Sequence, residues 1–256
     1  MPFVNDPYRI ARRGPRIRRR AAVAGLAALA GVVATATPGQ AVIGGAPAPA
    51  AESWMASLQT ESGQAFCGGT LIERQWVITA FHCVGSGTRD TEDLRIRIGS
   101  RSSAKGGTLA KVEQVVGHPD ASFVEGQGFA GPDLALLRLD RPVRHQPLRP
   151  TTTGPAIGTH ARALGWGNTC WDEMCLPDML QEITLPVSQK RSGQLVINSP
   201  EFRGVGPGDS GGPLVVKRKG SWRLAGVTSS NGLAQDHALS NFVDVSRYRD
   251  WIDTVL

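Results

Sequence analysis

Beyond residue 41 the apolar positions fall in short runs punctuated by Gly and Pro. Leu94, Ile96 and Ile98 alternate with arginines, the period-2 pattern of a half-buried strand. Further strand-like runs are Trp76-Val77-Ile78-Thr79, Lys111 to Val116, Leu134 to Leu139, Arg162 to Leu164, Leu214 to Val216 and Trp222 to Val227. Their spacing predicts an all-β sandwich or barrel, because repeated βαβ units would need long helical stretches between strands. Arg141 to Pro155 is rich in Pro and Thr and lacks periodicity, which marks it as a crossover between two halves. Near the C-terminus Tyr248, Trp251, Ile252 and Val255 stand at i, i+3, i+4 and i+7. That spacing predicts a short amphipathic helix, with Ser246 as its candidate N-cap.

Charge alters this picture only at the N-terminus. The pI of about 9.5 is what a nucleic-acid or membrane partner would need. Residues 1–41, however, hold seven of the 28 basic residues and one of the 22 acidic ones, so 21 of each remain. The basic excess belongs to the leader, and nucleic-acid binding loses its support. The leader has an Arg-rich start, an apolar stretch from Ala21 to Ala36 and small residues Gly39-Gln40-Ala41, the outline of a secretory signal peptide. The stretch is shorter than the roughly 20 apolar residues of a membrane span, so no stable anchor is expected. Arg12-Arg13 and Arg19-Arg20 leave general and twin-arginine export both open. Residues 42–256 are long enough for one unit with a sizeable core. Four cysteines in an exported chain read as two disulfides. Cys170 and Cys175 most simply pair with each other, with a zinc site as the rival.

Three segments carry chemistry: Thr79-Ala80-Phe81-His82-Cys83, Asp133-Leu134-Ala135-Leu136-Leu137-Arg138-Leu139 and Gly208-Asp209-Ser210-Gly211-Gly212-Pro213. A serine hydroxyl becomes nucleophilic when an imidazole takes its proton and a carboxylate orients that imidazole. Taken singly, His82 reads more readily as a packed or solvated histidine and Asp133 as a strand-edge or turn residue, while the glycine-rich run reads equally as a turn. Their joint order, His then Asp then Ser, is that of one of the unrelated folds that carry a triad. Together with Gly165-Trp166-Gly167 and Val42-Ile43-Gly44-Gly45, these segments resemble the chymotrypsin/trypsin-like serine peptidases over about Val42 to Leu256. The likeness is closest to secreted bacterial members.

The resemblance implies two six-stranded antiparallel β-barrels, with residues 42–256 as the peptidase domain and its site between the barrels. It implies Ser210 as nucleophile, His82 as general base and acid, and Asp133 as the carboxylate that holds the imidazole. The backbone N–H groups of Gly208 and Ser210 become the oxyanion hole, where a Cβ at Gly208 would hinder the turn. Ser229 would border Asp133 and the substrate backbone. Cys67 and Cys83 match the bridge that closes the loop bearing the histidine, worth roughly 3 kcal/mol through the unfolded state. A free amino group at Val42 would pair with Asp209 and order the oxyanion hole. If the leader is cut after Ala41, its removal is itself the activation step; a cut after Ala36 would leave Thr37 to Ala41 as a short pro-peptide.

Three departures from the family pattern bear on specificity. Phe81 stands where Ala is usual, and a ring there needs space made for it. Gly206 replaces a cysteine of the bridge beside the specificity pocket, and Asn198 to Gly208 is short. Gly204 stands where trypsin-like members carry an acid, and the other wall positions, Val205, Asn231 and Ser240, are uncharged. A buried Lys or Arg of a substrate would find no partner there. Neutral side chains are therefore expected, with Asp236 the residue able to reverse this if its loop folds inward. The expected protein is a secreted, monomeric serine endopeptidase without metal or cofactor, acting on protein or peptide substrates and open to a protein inhibitor. A catalytically silent binding protein and a secreted esterase are the alternatives.

Overall fold

The computed structural model describes residues 42–85, 90–124 and 128–256. The leader, and with it the signal-peptide and export expectations, lies outside the described residues. Before the crossover, the strands are β1 (Ala46–Pro47), β2 (Met55–Gln59), β3 (Ala65–Glu73), β4 (Trp76–Thr79), β5 (Arg95–Ile98), β6 (Thr108–Gly117), β7 (Ser122–Val124), β8 (Gly128–Ala130) and β9 (Ala135–Leu139). After it come β10 (His160–Gly165), β11 (Gln181–Pro186), β12 (Gln189–Arg191), β13 (Gln194–Ser199), β14 (Pro213–Arg218), β15 (Ser221–Leu233), β16 (Ala238–Asp244) and the helix α1 (Arg249–Val255).

Strands β2-β3-β4-β9-β6-β5 close into a six-stranded antiparallel barrel. Closure leaves no exposed ladder edge and gives the inward positions one shared core. Ile96 and Ile98 point into it, with Arg95 and Arg97 between them half-buried, as the alternation predicts. The other strands form an eight-stranded antiparallel sheet, β1-β11-β10-β14-β15-β16-β13-β12. Ala163 and Ile183 at one end share a core with Leu195, Ile197, Leu214 and Phe242 toward the other. Six long strands thus surround one core, while the hydrogen-bonded ladder does not close between β11 and β13. That is the difference from two fully closed barrels.

Phe81 obtains its space from two glycines. A Cβ on Gly85 would lie 2.1 Å from its ring, and one on Gly117 would lie 2.6 Å away. At the C-terminus the cap differs from expectation. The Asp244 side chain, not Ser246, accepts a backbone N–H, from Ser246, and opens a 3₁₀ turn, Val245–Tyr248, ahead of α1. Ile252 on α1 is fully buried, and Tyr248 and Trp251 pack on the His118 ring at 5.2 and 4.9 Å between centroids.

Candidate active site

His82 lies on a one-turn 3₁₀ helix, Phe81–Cys83, directly after β4. The turn is tied to β3 by the Cys67–Cys83 disulfide. Asp133 precedes β9, the neighbour of β4 in the barrel, so two adjacent strands deliver histidine and carboxylate to the same rim. The Asp133 carboxylate receives three hydrogen bonds. The His82 backbone N–H donates to Oδ1 at 2.9 Å, the Ser229 hydroxyl donates to Oδ2 at 2.7 Å, and His82 Nδ1 lies 2.8 Å from Oδ2. Burial works to raise the Asp133 carboxyl, but its bonds to His82 and Ser229 outweigh that and hold it below the usual carboxylate range. An ionised Asp133 fixes the Nδ1–H tautomer, which makes Nε2 the ring nitrogen of His82 that carries the lone pair.

Ser210 sits in a tight turn between Gly208 (φ 94°) and Gly211 (φ 78°), left-handed positions that favour glycine. At Gly211 a Cβ would also lie 2.1 Å from Thr79 Oγ1 and 2.4 Å from the Gly68 carbonyl. The turn is pinned on three sides. Gly68 N–H donates to the Ser210 carbonyl at 2.7 Å, Gly211 N–H to Thr228 O at 2.8 Å, and Gly212 N–H to Asp209 O at 2.9 Å. Gly68 follows Cys67, so Ser210 and His82 are braced by the same disulfide-linked segment. Within this turn the N–H groups of Gly208 and Ser210 have no acceptor among the described residues. Two unspent donors, two residues apart on one braced turn, are what a developing oxyanion requires.

Asp209 is fully buried and points away from that turn. Its carboxylate accepts from Gly167 N–H and Gly206 N–H, each at 2.8 Å, and among the described residues no cationic side chain pairs with it. Burial pushes its carboxyl up to about 6, against the pull of those two N–H donors. Gly165 and Gly167 are required here: a Cβ on Gly165 would lie 2.0 Å from Asp209 Oδ1, and one on Gly167 would lie 2.5 Å from the Asp209 N. Val42 is also fully buried and belongs to the core of the second sheet. It holds φ +57°, a conformation that β-branched residues avoid.

The four residues expected to line the pocket, Gly204, Val205, Asn231 and Ser240, are neighbours. Val205 N–H donates to Ser240 Oγ at 3.1 Å, Ser240 pairs with Asn231 across β15 and β16, and Gly204 bridges to Ile43. A Cβ on Gly204 would lie 2.4 Å from Ser240 Oγ, so the base has no room for a side chain. Asp236 does not fold inward: it is exposed, and its carboxylate lies 2.6 Å from His237 Nδ1.

One residue escaped the sequence reading. Asn168 is nearly buried inside the ring closed by the Cys170–Cys175 disulfide. Its side chain donates to the carbonyls of Cys170 (2.7 Å) and Glu173 (2.6 Å) and accepts from Cys175 N–H (2.5 Å). Its own N–H donates to Pro207 O at 2.7 Å, directly before Gly208. A Cβ on Gly206 would lie 2.3 Å from the Asn168 carbonyl, which leaves no place for a cysteine. The only signal was an Asn two residues ahead of a Cys, the spacing at which Asn side chains bond nearby backbone.

Comparison with known proteins places this geometry. The trypsin family model matches residues 42–252. Mouse tryptase is 32% identical over 228 residues, covering 78% of this chain and 82% of that protein. The alpha-fibrinogenase albofibrase of Trimeresurus albolabris is 28% identical over 214 residues, covering 75% and 78%. Among solved structures, mouse neuropsin, a serine protease expressed in the limbic system of the brain, superposes with a TM-score of 0.73. It has 23% identity and covers 84% of this chain and 99% of its own. These relatives are animal proteins, so a closest likeness to bacterial members is not supported. With the family matched from Val42 into the C-terminal helix and the barrel architecture shared, the chain belongs to the trypsin family of serine endopeptidases.

Proposed function

We propose that this chain is a secreted peptidase in which Ser210 attacks the scissile carbonyl and His82 takes and returns the proton. Asp133 offsets the imidazolium charge, and the N–H groups of Gly208 and Ser210 receive the oxyanion. The observation that carries the reading is the Asp133 carboxylate, saturated by His82 and Ser229 while the two N–H groups beside Ser210 stay unspent. Export is supported by the leader pattern and by two disulfides, which persist in oxidising compartments. The uncharged pocket of Gly204, Val205, Asn231 and Ser240 supports cleavage after neutral residues.

Activation follows from Val42 and Asp209. While Val42 is joined to Ala41, it holds a left-handed φ that costs on the order of 1–3 kcal/mol in a β-branched residue. Cutting the bond removes the preceding carbonyl, and with it the φ restraint. It also creates an ammonium to pair with Asp209, a buried carboxylate that no cationic side chain meets among the described residues. Strain and unpaired charge are relieved by the same cut.

Labelling with an organophosphonate followed by a peptide-library digest tests the proposal. Adduct on Ser210 together with cleavage after neutral residues is the expected result. No adduct would leave the silent binding protein; an adduct without peptide cleavage would leave the esterase.

A further inference from the structure

A second concave site lies away from these residues, between the crossover segment and the tip of the β14–β15 hairpin. It is a cleft of about 380 Å³ with Thr151, Thr152 and Thr153 on one wall and Arg218, Lys219 and Arg223 on the other. The walls are fixed by backbone: Thr151 N–H donates to Leu224 O at 2.8 Å, and Leu224 N–H to Arg149 O at 3.0 Å. We propose that this cleft binds the oxoanion groups of an acidic polysaccharide, sulfate or phosphate esters on a glycan chain.

Local charge is the first support. Residues 42–256 balance 21 basic against 21 acidic side chains, yet residues 141–171 and 210–235 contain no Asp or Glu. The carboxylate in contact with the crossover is Asp244, under Gly154, and it is already engaged by Ser246 and, at 3.9 Å, by Lys190. Glu52 and Glu182, near Trp222, are both taken by the buried Arg162. Arg218, Lys219 and Arg223 have no carboxylate within 4.0 Å among the described residues. Three like charges on one small cleft repel one another unless an anion shares them.

The backbone gives the second. Arg218 pairs with Ser221, so Lys219-Gly220 is a two-residue hairpin loop, with φ of +49° and +79°. A turn of this kind takes Asn-Gly or Gly-Gly at little cost, and a Lys in its first position is strained. Lys219 is exposed and makes no hydrogen bond or ion pair among the described residues, so no contact there calls for a lysine. Strain kept in an exposed cation points to a ligand.

The third is polar and independent of charge. Thr151 is buried, and its hydroxyl has no hydrogen-bond partner among the described residues. Thr152 and Thr153 beside it are exposed on the neutral wall of the cleft, so hydroxyl donors stand there where the basic wall carries charge. Guanidinium forks and hydroxyls together match a tetrahedral oxoanion. The patch is compact, one hairpin tip facing one loop. It fits one or two anionic groups of a flexible glycan and not the long track of a nucleic-acid backbone.

The test uses the full chain on dextran sulfate, dextran phosphate and single-stranded DNA of matched charge density. Retention on at least one dextran at 0.15 M salt is expected, and which one names the ester. Arg218→Gln with Lys219→Gly and Arg223→Gln should lower affinity at least tenfold and flatten the log–log salt dependence by about 2–3. Lys219→Gly alone should weaken binding while leaving the melting temperature equal or higher, because glycine suits that φ. Thr152→Val with Thr153→Val should weaken binding without changing the salt slope. Lys105→Gln with Lys111→Gln, on the closed barrel, should change nothing. The proposal fails if neither dextran is retained, if the Lys105/Lys111 control loses as much affinity as the cleft variant, or if DNA binds as tightly as the dextrans.

Discussion

Asp209→Asn, compared across pH in two forms of the protein, tests the activation step directly. One form keeps an uncleavable extension ahead of Val42; the other begins at Val42. In the extended form the Asp209 carboxyl is raised from 3.8 to about 6, chiefly by burial. The shift of about two units corresponds to about 3 kcal/mol between the protonation states. The folded pKa lies above the unfolded one. Stability is therefore full below the unfolded value, near pH 4, and is lost as pH rises through the folded value near 6. Asparagine does not titrate, so wild type should lose about 3 kcal/mol relative to Asp209→Asn between pH 4 and 7. In the form that begins at Val42 the ammonium compensates the carboxylate and the comparison reverses. Breaking a buried pair costs about 3–5 kcal/mol, so there Asp209→Asn should be the less stable protein at pH 7. The α-amino group, raised by its pair above its usual value near 8, contributes below that value and ceases to contribute as pH rises through its folded pKa. Urea unfolding of the four proteins from pH 4 to 9 gives all of these quantities. A flat wild-type-minus-variant difference in the extended form, or equal tolerance of Asp209→Asn in both forms, would refute the reasoning.

Three further outcomes are expected. Ser210→Ala should lower kcat by several orders of magnitude while unfolding within about 0.5 kcal/mol of wild type, since a single oxygen is removed outside the core; near wild-type hydrolysis would end the nucleophile assignment. Chromogenic substrates with a neutral residue before the scissile bond should exceed Arg substrates at least tenfold in kcat/KM, and Gly204→Asp alone should not reverse the order, because its Cβ meets Ser240 Oγ at 2.4 Å. Asn168→Ala removes three side-chain hydrogen bonds and should cost about 2–4 kcal/mol in urea unfolding, with kcat falling more than KM rises as Pro207 and Gly208 loosen; unchanged kcat would show that the ring does not support the oxyanion turn.

The strands with plain alternation were legible. Trp76-Val77-Ile78-Thr79 is the whole of β4, and the Leu94, Ile96, Ile98 series is buried as its pattern requires. Strands β2, β3, β11, β13 and β16 gave no such signal. In β3 the cause is physical: Gly68-Gly69 reads as a turn, yet both lie inside the strand. A Cβ on Gly68 would meet the Gly212 Cα at 2.9 Å, and one on Gly69 the Val77 side chain at 2.8 Å. The glycines are there because two backbones approach closely, and that closeness is also what delivers the Gly68 N–H to the Ser210 carbonyl. A glycine demanded by a long-range contact cannot be told from a turn glycine by its sequence neighbours.

The same distinction separates the parts of the site that the sequence could announce from those it could not. Each catalytic candidate carries its own local motif, because a nucleophile turn or a histidine turn is built from adjacent residues. What supports the turn is spread over the chain. Gly165 and Gly167 make room for Asp209, Asn168 reaches Pro207, and Ser240 holds the Val205 N–H. Gly206 shows how such supports exchange. The Asn168 carbonyl occupies the space of a Cβ at Gly206, so a pocket-side disulfide from that position and this close approach cannot coexist. The chain instead closes a small disulfide ring around Asn168 and transmits its rigidity through one backbone hydrogen bond to the residue before Gly208. From the sequence the missing cysteine is only a departure from the family pattern; in the fold it is the condition for a different brace.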